Sequence, residues 1–332
     1  MSQTAVASWR PARRHPETYP GACPNGSYVI IDDQVHALIF AERGALDSAH
    51  AIVAGQHVPL DPLLRERGCP PLADRYVSLA YGANRNPGTL AIKTRNYGGE
   101  HQDGLVLPVL KGATSGRDVV ACGLSGQGYL YADLLLADDA EDKVRVEAWF
   151  PLLDPDQLRV MHDGEHVRDG TYTVARFPSH LDGFDRAVEA LGYAGNDPIF
   201  VSPTLGTPIA YSTVNVVRRS LPAMDATGMI DHVLDISDFR TRVPGVLGSA
   251  EAITTRDLMA FMNQRWWIRF DGYDQPDERY DRLIGELAGL IRANQRSSSS
   301  ATRMVDRGLS LGIDDAYRPG PERRLGAQLA GH

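Results

Sequence analysis

Short runs rich in valine, leucine, isoleucine and aromatic residues recur along the first two thirds of the chain, bounded by glycine, proline or acidic residues. This pattern is typical of β-strands. The predicted strands are 27–31, 35–40, 76–81, 105–111, 118–122, 129–136, 144–150, 172–177 and 199–203. The first two flank Asp32-Asp33-Gln34, and this arrangement predicts a β-hairpin.

Helical periodicity appears mainly in the second half of the chain. Asp154 followed by Pro155 predicts a helix start, because aspartate caps a helix and proline fits its first position. Apolar residues spaced three or four apart predict further helices at 180–193, 214–221, 254–267 and 278–294. Residues 41–75 contain four prolines and predict an irregular or short helical connection, and 89–93 either begin a short helix or continue a loop.

The composition limits the class of protein. The chain has 332 residues, of which 43% are hydrophobic and 23% charged, values ordinary for a globular protein with one large or two small domains. The net charge of −8 argues against nucleic acid as the main partner. No apolar run approaches the roughly 20 residues that a membrane helix needs, so we expect no membrane association. The polar first 20 residues do not resemble a secretory signal.

The three cysteines are Cys23, Cys69 and Cys122. An odd and sparse count favours a reducing, cytoplasmic location, and no pair has the spacing of a zinc site. Cys122 is either a small core residue, which we favour, or a catalytic thiol beside the glycine-rich segment 123–128. That segment lacks the Lys-Ser/Thr ending of a phosphate-binding loop, which disfavours a nucleotide site.

The predicted strand 76–81 stops abruptly in Gly82-Ala83-Asn84-Arg85-Asn86-Pro87. Proline lacks a backbone donor, and glycine and asparagine tolerate unusual backbone angles, so the strand cannot continue. A strand that ends in such a loop directs backbone N–H groups at whatever lies above it. The loop is therefore either a plain turn or a site for a small anion.

A second segment, Leu158 to Tyr172, changes the balance between these two interpretations. Together the two segments resemble the γ-glutamylcyclotransferase superfamily, which has a Tyr-Gly-Ser-Asn-type loop after its first strand. The family later has a Leu-x-x-Leu-Asp-x-x-Glu-Gly segment and a Gly-x-Tyr sequence. Here Leu158 and Met161 take the apolar positions, Glu165 takes the glutamate, and Gly170-Thr171-Tyr172 takes the Gly-x-Tyr. The resemblance covers about residues 76–221.

The resemblance implies an enzyme that cleaves a γ-glutamyl amide. The α-amine of the glutamyl group attacks its own γ-carbonyl, 5-oxoproline forms and the amine is released. Glu165 would be the general acid and base. The substrate-binding residues implied are Tyr81, Gly82, Ala83, Asn84 and Tyr172. The resemblance implies a small-molecule substrate and no cofactor.

The chain departs from the family pattern at three places. Ala83 stands where the family has serine, so a contact there would come from the backbone alone. The usual acidic position is shifted by one in His162-Asp163, and His166 replaces the glycine after the glutamate. His166 either faces solvent, tunes Glu165 or contacts substrate. A metal cluster of the two histidines with Glu165 is disfavoured by their short spacing.

The expected fold is α+β, with a mostly antiparallel, barrel-like sheet flanked by helices and extended at both termini. The expected division lists a flexible arm (1–25), an N-terminal extension packed on the core (26–75), a cyclotransferase-like catalytic domain (76–224), a C-terminal helical extension (225–295) and a weakly ordered tail (296–332). Trp266, Trp267 and Phe270 are either core residues, which we favour, or a substrate wall or dimer interface. The sequence leaves a homodimer open.

The extensions suggest an enzyme of specialised metabolism that unmasks a γ-glutamyl-protected amine. Two other functions remain open at this stage. One is a γ-glutamyl acyltransferase or amidotransferase that uses an external amine on the same fold. The other is a non-catalytic binder of a glutamyl ligand, a hypothesis that the loss of a hydroxyl at Ala83 favours and the presence of Glu165 opposes.

Overall fold

The computed structural model of the chain describes residues 4–97, 105–115, 117–136, 144–249, 251–270, 277–295 and 299–331. The strands are β1 (Thr4–Ala5), β2 (Tyr28–Ile31), β3 (Gln34–Phe40), β4 (Ala49–Val53), β5 (Gln56–Pro59), β6 (Tyr76–Val77), β7 (Val106–Ser115), β8 (Arg117–Leu124), β9 (Leu130–Leu136), β10 (Arg145–Leu153), β11 (Tyr172–Leu181), β12 (Ala187–Gly195), β13 (Ala210–Tyr211), β14 (Val216–Val217) and β15 (Ala223–Met224). The α-helices are α1 (Leu60–Glu66), α2 (Pro87–Tyr97), α3 (Pro155–Gly164), α4 (Ala226–Asp235), α5 (Phe239–Leu247), α6 (Thr255–Phe270), α7 (Glu278–Ala293), α8 (Ser300–Asp306), α9 (Ile313–Tyr317) and α10 (Leu325–Ala330). Helices and antiparallel sheet are thus mixed, as the α+β prediction requires.

Strand β7 lies at the centre of the larger sheet. It pairs with β10 along one edge and with β11 and β2 along the other, always antiparallel. The strand order is β12-β11-β7-β2-β3-β4-β5. Within the described part of the chain β12 and β5 do not pair, so the sheet is open. The prediction of a barrel-like sheet was wrong in this respect, because the N-terminal strands β2 to β5 extend the sheet outward from β7.

The smaller sheet has the order β15-β13-β8-β9. Its β8–β9 hairpin confirms the predicted pair of strands around the glycine-rich segment 123–128. The register shifts between Ala121 and Leu124, where the pairing is irregular. The β8–β9 turn lies at this irregular end of the hairpin, and it lines the cavity described below.

Two predicted helices are absent from the structure. Residues 180–193 form the end of β11, a turn and most of β12, and Gly183 in the turn has a φ of +92°. Successive residues of β12 alternate between exposed and buried: Ala187 is exposed and Val188 is buried. A period of two is that of a strand. Residues 214–221 contain only the short strand β14, which pairs with β10. The apolar residues of both segments fit the period of a helix as well as that of a strand. Pairing with a neighbouring strand therefore determines the structure that each segment forms.

The N-terminal quarter is more regular than its composition predicted. The 27–40 hairpin is confirmed as β2 and β3. The predicted connection 41–75 contains the hairpin β4–β5 and helix α1. The segment before β2, predicted to be flexible, packs on the core: Ala12 and Tyr19 are buried. Its backbone is held by distant parts of the chain, which a local composition pattern cannot reveal.

The helix predictions at 155, 254–267 and 278–294 are confirmed as α3, α6 and α7. Helix α3 begins with a capping box in which Asp154 and Gln157 each bond the other's backbone N–H. Residues 225–250, a mixed pattern within the predicted C-terminal helical extension (225–295), contain α4 and α5. None of the helices in the described ranges is long and apolar enough to cross a membrane.

One apolar core joins the extensions to the sheets. Leu38 of β3, Leu110 of β7, Phe177 of β11, Ile230 of α4 and Leu287 of α7 belong to the same buried cluster. Burial of each such side chain contributes about 1.5–3 kcal/mol. The extensions are therefore held by the same hydrophobic contacts that hold the central sheet.

The C-terminal segment, predicted to be weakly ordered, forms α8, α9 and α10, of which α9 packs on helix α3. Met304 and Leu325 are fully buried. The hydroxyl of Tyr76 donates to the carbonyl of Pro319 at 3.0 Å. Serines and charged residues suggested disorder here, but the apolar minority and the pairing with strand residues fix the segment.

His162 connects helix α3 to this C-terminal segment. Its Nε2 donates to the carbonyl of Ala316 at 3.0 Å, since a carbonyl only accepts. Its Nδ1 therefore accepts from the hydroxyl of Tyr193, 2.9 Å away. The ring is completely buried, and burial lowers the pKa of His162 to about 4.

The lowered pKa of His162 predicts a loss of stability in acid. Below pH about 6.5 the unfolded chain binds a proton at this histidine, and the folded chain does so only near pH 4. Stability therefore falls across that window, by about 3 kcal/mol from this residue. We expect His162→Gln to be less stable than wild type at pH 7 and to lose less of its stability between pH 6.5 and pH 4.5.

Urea unfolding of both proteins at the two pH values measures this difference. His57→Gln serves as the control, because His57 is exposed. Equal pH dependence of unfolding in wild type and His162→Gln would contradict the assignment.

Candidate functional site

A cavity of about 270 Å³ collects the residues that the sequence singled out. Tyr81, Gly82, Ala83, Asn84, Glu165 and Tyr172 all line it. Four further elements contribute to its wall: the N-terminal arm, helix α2, the β8–β9 turn and β12. The two sequence segments are thus brought together at one site, and the roles assigned to their residues stay predictions.

The loop after β6, residues 82–86, is anchored by two of its own side chains, which are buried. Arg85 donates to the carbonyls of Gly21 and Thr213 at 3.2 and 3.0 Å. Asn86 donates to the carbonyl of Ala22 at 2.7 Å and accepts from the N–H of Thr89. These bonds hold the loop rigidly above the sheet, since both side chains are almost completely buried.

The loop also has backbone N–H groups without a backbone acceptor among the described residues. Residues Ala83–Arg85 form a 3₁₀ turn, and the N–H groups of Arg85 and Asn86 are bonded within it. The N–H groups of Gly82, Ala83 and Asn84 have no backbone acceptor in the described part of the chain. Such adjacent donors suit a carboxylate ligand.

Glu165 directly follows helix α3 and faces this loop. Its Oε1 accepts from the side-chain amide of Asn84 at 2.7 Å. The same oxygen contacts the ammonium of Lys93 in an ion pair. Only 13% of the Glu165 side chain and 5% of the Lys93 side chain are exposed. The carboxylate is therefore held by two donors in a largely dry setting.

Lys93 was not among the site residues predicted from the sequence. This lysine lies on α2, one turn after the buried Leu90, where an apolar residue would be expected. Burial is the main cause that lowers the pKa of Lys93, the nearby charge of Arg13 lowers it further, and Glu165 opposes both. A lysine on the buried face of a helix was the one sequence feature that could have marked Lys93 as a site residue. Its partner, Glu165, is revealed only by the fold.

Two tyrosines of the cavity have different environments. The hydroxyl of Tyr81 donates to the backbone carbonyl of Tyr193 at 2.7 Å, so it holds β12 against the loop. The hydroxyl of Tyr172 makes no hydrogen bond with a residue that the structure describes. Burial is the main cause that raises the pKa of Tyr172, and the charge of Glu165 raises it further. Tyr172 is thus a neutral hydroxyl available to a ligand.

The N-terminal arm adds Arg13 and Tyr19 to the wall, which the sequence did not predict. The Tyr19 oxygen accepts from the N–H of Ala132 at 2.8 Å. A Cβ at Gly82 would lie 3.3 Å from the same oxygen. The arm therefore places a hydroxyl beside the loop, where Ala83 supplies none.

The other candidate residues lie apart from this chemistry. His162 is buried on the far side of α3, with Tyr193 and Ala316 as its partners. His166 is at the cavity rim with 57% of its side chain exposed, 3.0 Å from Asp169. Cys122 is buried and donates to the carbonyls of Asp197 and Pro198. Burial raises the pKa of the Cys122 thiol, which opposes a nucleophilic role.

The tryptophans of α6 lie behind the cavity and do not line it. Trp266 packs on the β8–β9 turn, where a Cβ at Gly126 would lie 2.5 Å from its ring. Trp267 donates to the carbonyl of Arg13 at 2.9 Å. The two tryptophans therefore do not form the substrate wall themselves. They support the β8–β9 turn and the N-terminal arm, which do line the cavity. The side chain of Phe270, named with them, lies outside what the structure describes.

Comparisons with known proteins give little further information. No protein-family model matches the chain, and no curated protein matches it. Among solved structures, a γ-glutamyl cyclotransferase is 10% identical with a TM-score of 0.29, and the match covers 64% of this chain and 98% of that one. An uncharacterized protein from Homo sapiens is 13% identical with a TM-score of 0.27, over 36% of this chain and 66% of that one. Similarities this weak carry no argument about function.

Proposed function

We propose that the cavity binds a γ-glutamyl amide and converts it to 5-oxoproline and a free amine. One observation carries this proposal. A buried carboxylate, Glu165, lies beside a loop with three unused backbone donors, and an ammonium and an amide group hold that carboxylate in place. These are the groups that an intramolecular acyl transfer needs for proton transfer and for orientation.

The loop is the proposed site for the α-carboxylate of the glutamyl group. The N–H groups of Gly82, Ala83 and Asn84 would donate to its oxygens, and the Tyr19 hydroxyl lies within the same region. Charge-assisted bonds of this kind are stronger than neutral ones. A glutamyl chain bound at its α-carboxylate would fold back so that its α-amine and γ-carbonyl meet near Glu165.

Glu165 is the proposed general base and acid. Its carboxylate takes a proton from the α-ammonium, and the resulting amine attacks the γ-carbonyl carbon. The bond from that carbon to the amide nitrogen then breaks, with the proton returned to the leaving nitrogen. The ring nitrogen loses two protons in all, and the released amine carries both as an ammonium ion. No external nucleophile or water takes part.

Lys93 is proposed to assist in two ways. Its ammonium forms an ion pair with the carboxylate of Glu165 and so fixes the position of the group that accepts the proton. It would also place a positive charge near the γ-carbonyl oxygen, on which negative charge develops as the amine attacks. A fixed cation in a site with little water stabilises such a transition state strongly.

We expect Glu165→Gln to abolish 5-oxoproline formation. The amide keeps the size of the side chain but cannot accept the proton, and loss of a general base typically costs about 10²–10⁴-fold in rate. The assay incubates the protein with a panel of γ-glutamyl amides that includes glutathione and detects 5-oxoproline by mass spectrometry.

Asp156→Asn is the matched control, because Asp156 is an exposed carboxylate at the other end of α3. This variant should keep wild-type activity. Equal activity in Glu165→Gln and wild type would refute the assigned role. Products that retain the glutamyl group on a new amine would favour acyl transfer, and tight binding without any product would favour a binding protein.

We expect Lys93→Met to lower kcat by about 100-fold, the usual cost of removing one donor to a developing oxyanion. Lys111→Met is the matched control. Lys111 forms a half-buried ion pair with Glu147 at 2.8 Å and does not line the cavity. An unchanged kcat in Lys93→Met, or an equal loss in both variants, would contradict a specific role for Lys93.

A further inference from the structure

Arg13 is held in the cavity wall by its backbone. Its carbonyl accepts from Asn263 at 2.7 Å and from Trp267 at 2.9 Å, both on helix α6. The neighbouring Arg14 lies over the Trp267 ring, 4.4 Å from its centre. The backbone of the arm is therefore held at Arg13. The Arg13 side chain lines the cavity.

The guanidinium of Arg13 has no ion-pair partner in the described part of the chain. Of the other charged side chains on the wall, Lys93 and Glu165 pair with each other, and His166 contacts Asp169 at the exposed rim. Among the described residues, the cavity wall thus has one positive charge without an anionic partner. Partly buried cations normally have an anionic partner, because isolated charges are costly to remove from water.

Arg13 belongs to the part of the wall that the extensions build. The arm supplies Arg13, the β8–β9 turn supplies Gln127 and Tyr129, and Trp266 of α6 supports that turn from behind. Arg13 and Tyr129 line the same cavity. Burial raises the pKa of Tyr129, and the charge of Arg13 opposes this rise. The loop and Glu165 form the remaining part of the wall, which the proposed function assigns to the glutamyl group.

We infer that Arg13 binds an anionic group on the amine half of the ligand. The preferred substrates are then γ-glutamyl amides whose released amine carries its own carboxylate or another acid. This inference rests on the proposed function, because that function fixes which half of the ligand lies at Glu165. It assigns the N-terminal arm a role in specificity that the catalytic residues do not supply.

Two ligands that differ only in this charge test the inference. γ-Glutamylglycine carries a carboxylate on its amine half, and γ-glutamylglycinamide carries a neutral amide of the same shape. We expect wild type to prefer γ-glutamylglycine in kcat/KM by about 10- to 100-fold, the usual value of a charge-assisted hydrogen bond. Arg13→Met should reduce this preference to less than about threefold, and Arg13→Lys should retain most of it.

Arg10→Met is the control, because Arg10 is another arginine of the arm, is exposed and does not line the cavity. It should keep the wild-type preference. An unchanged preference in Arg13→Met would overturn the inference. An equal loss on both ligands would overturn it too, since Arg13 would then act on the glutamyl half or on folding.

Calorimetric binding of the same two ligands separates this inference from the proposed function. Binding with an Arg13-dependent preference but without 5-oxoproline would reject the cyclisation and support the anion site. Turnover of both ligands without a preference would support cyclisation and reject the anion site. Absence of both binding and turnover would overturn the inference.

Discussion

The site depends on holding one carboxylate in a fixed position where there is little water. Glu165 follows α3, Lys93 lies within α2, and Asn84 belongs to the loop after β6, so their contacts join three separate elements at one oxygen. A buried carboxylate without such partners would be costly. The pairing of α2 with α3 and the anchoring of the loop by Arg85 and Asn86 are therefore as important to the site as Glu165 itself.

The extensions act through support as well as through contact. Helix α6 does not line the cavity, but it bonds the backbone of the arm that brings Arg13 and Tyr19 into the wall. The C-terminal segment bonds His162 on the rear of α3, the helix that ends at Glu165. Two ends of the chain that are remote in sequence thus hold opposite sides of the same site.

The sequence predicted the parts of the site that local patterns encode. The strand and glycine-containing loop at 76–87 and the capped helix that ends before Glu165 are both recognisable from residue types alone. Lys93 could not be assigned, because its partner lies 72 residues away. The arm was mistaken for a flexible segment since its bond to Asn263 spans 250 residues. Residues 180–193 were mistaken for a helix because a small apolar set satisfied both periods, and only pairing with β11 selects the strand.

The central claim is that the α-amine of the ligand, and no external nucleophile, attacks the γ-carbonyl. The most direct measurement is turnover of γ-glutamylglycine in water enriched in oxygen-18, followed by mass spectrometry of the products. Intramolecular attack predicts 5-oxoproline without oxygen-18 and no labelled glutamate. Glutamate that carries one oxygen-18 atom would show that water attacks the carbonyl, and would contradict the proposed mechanism.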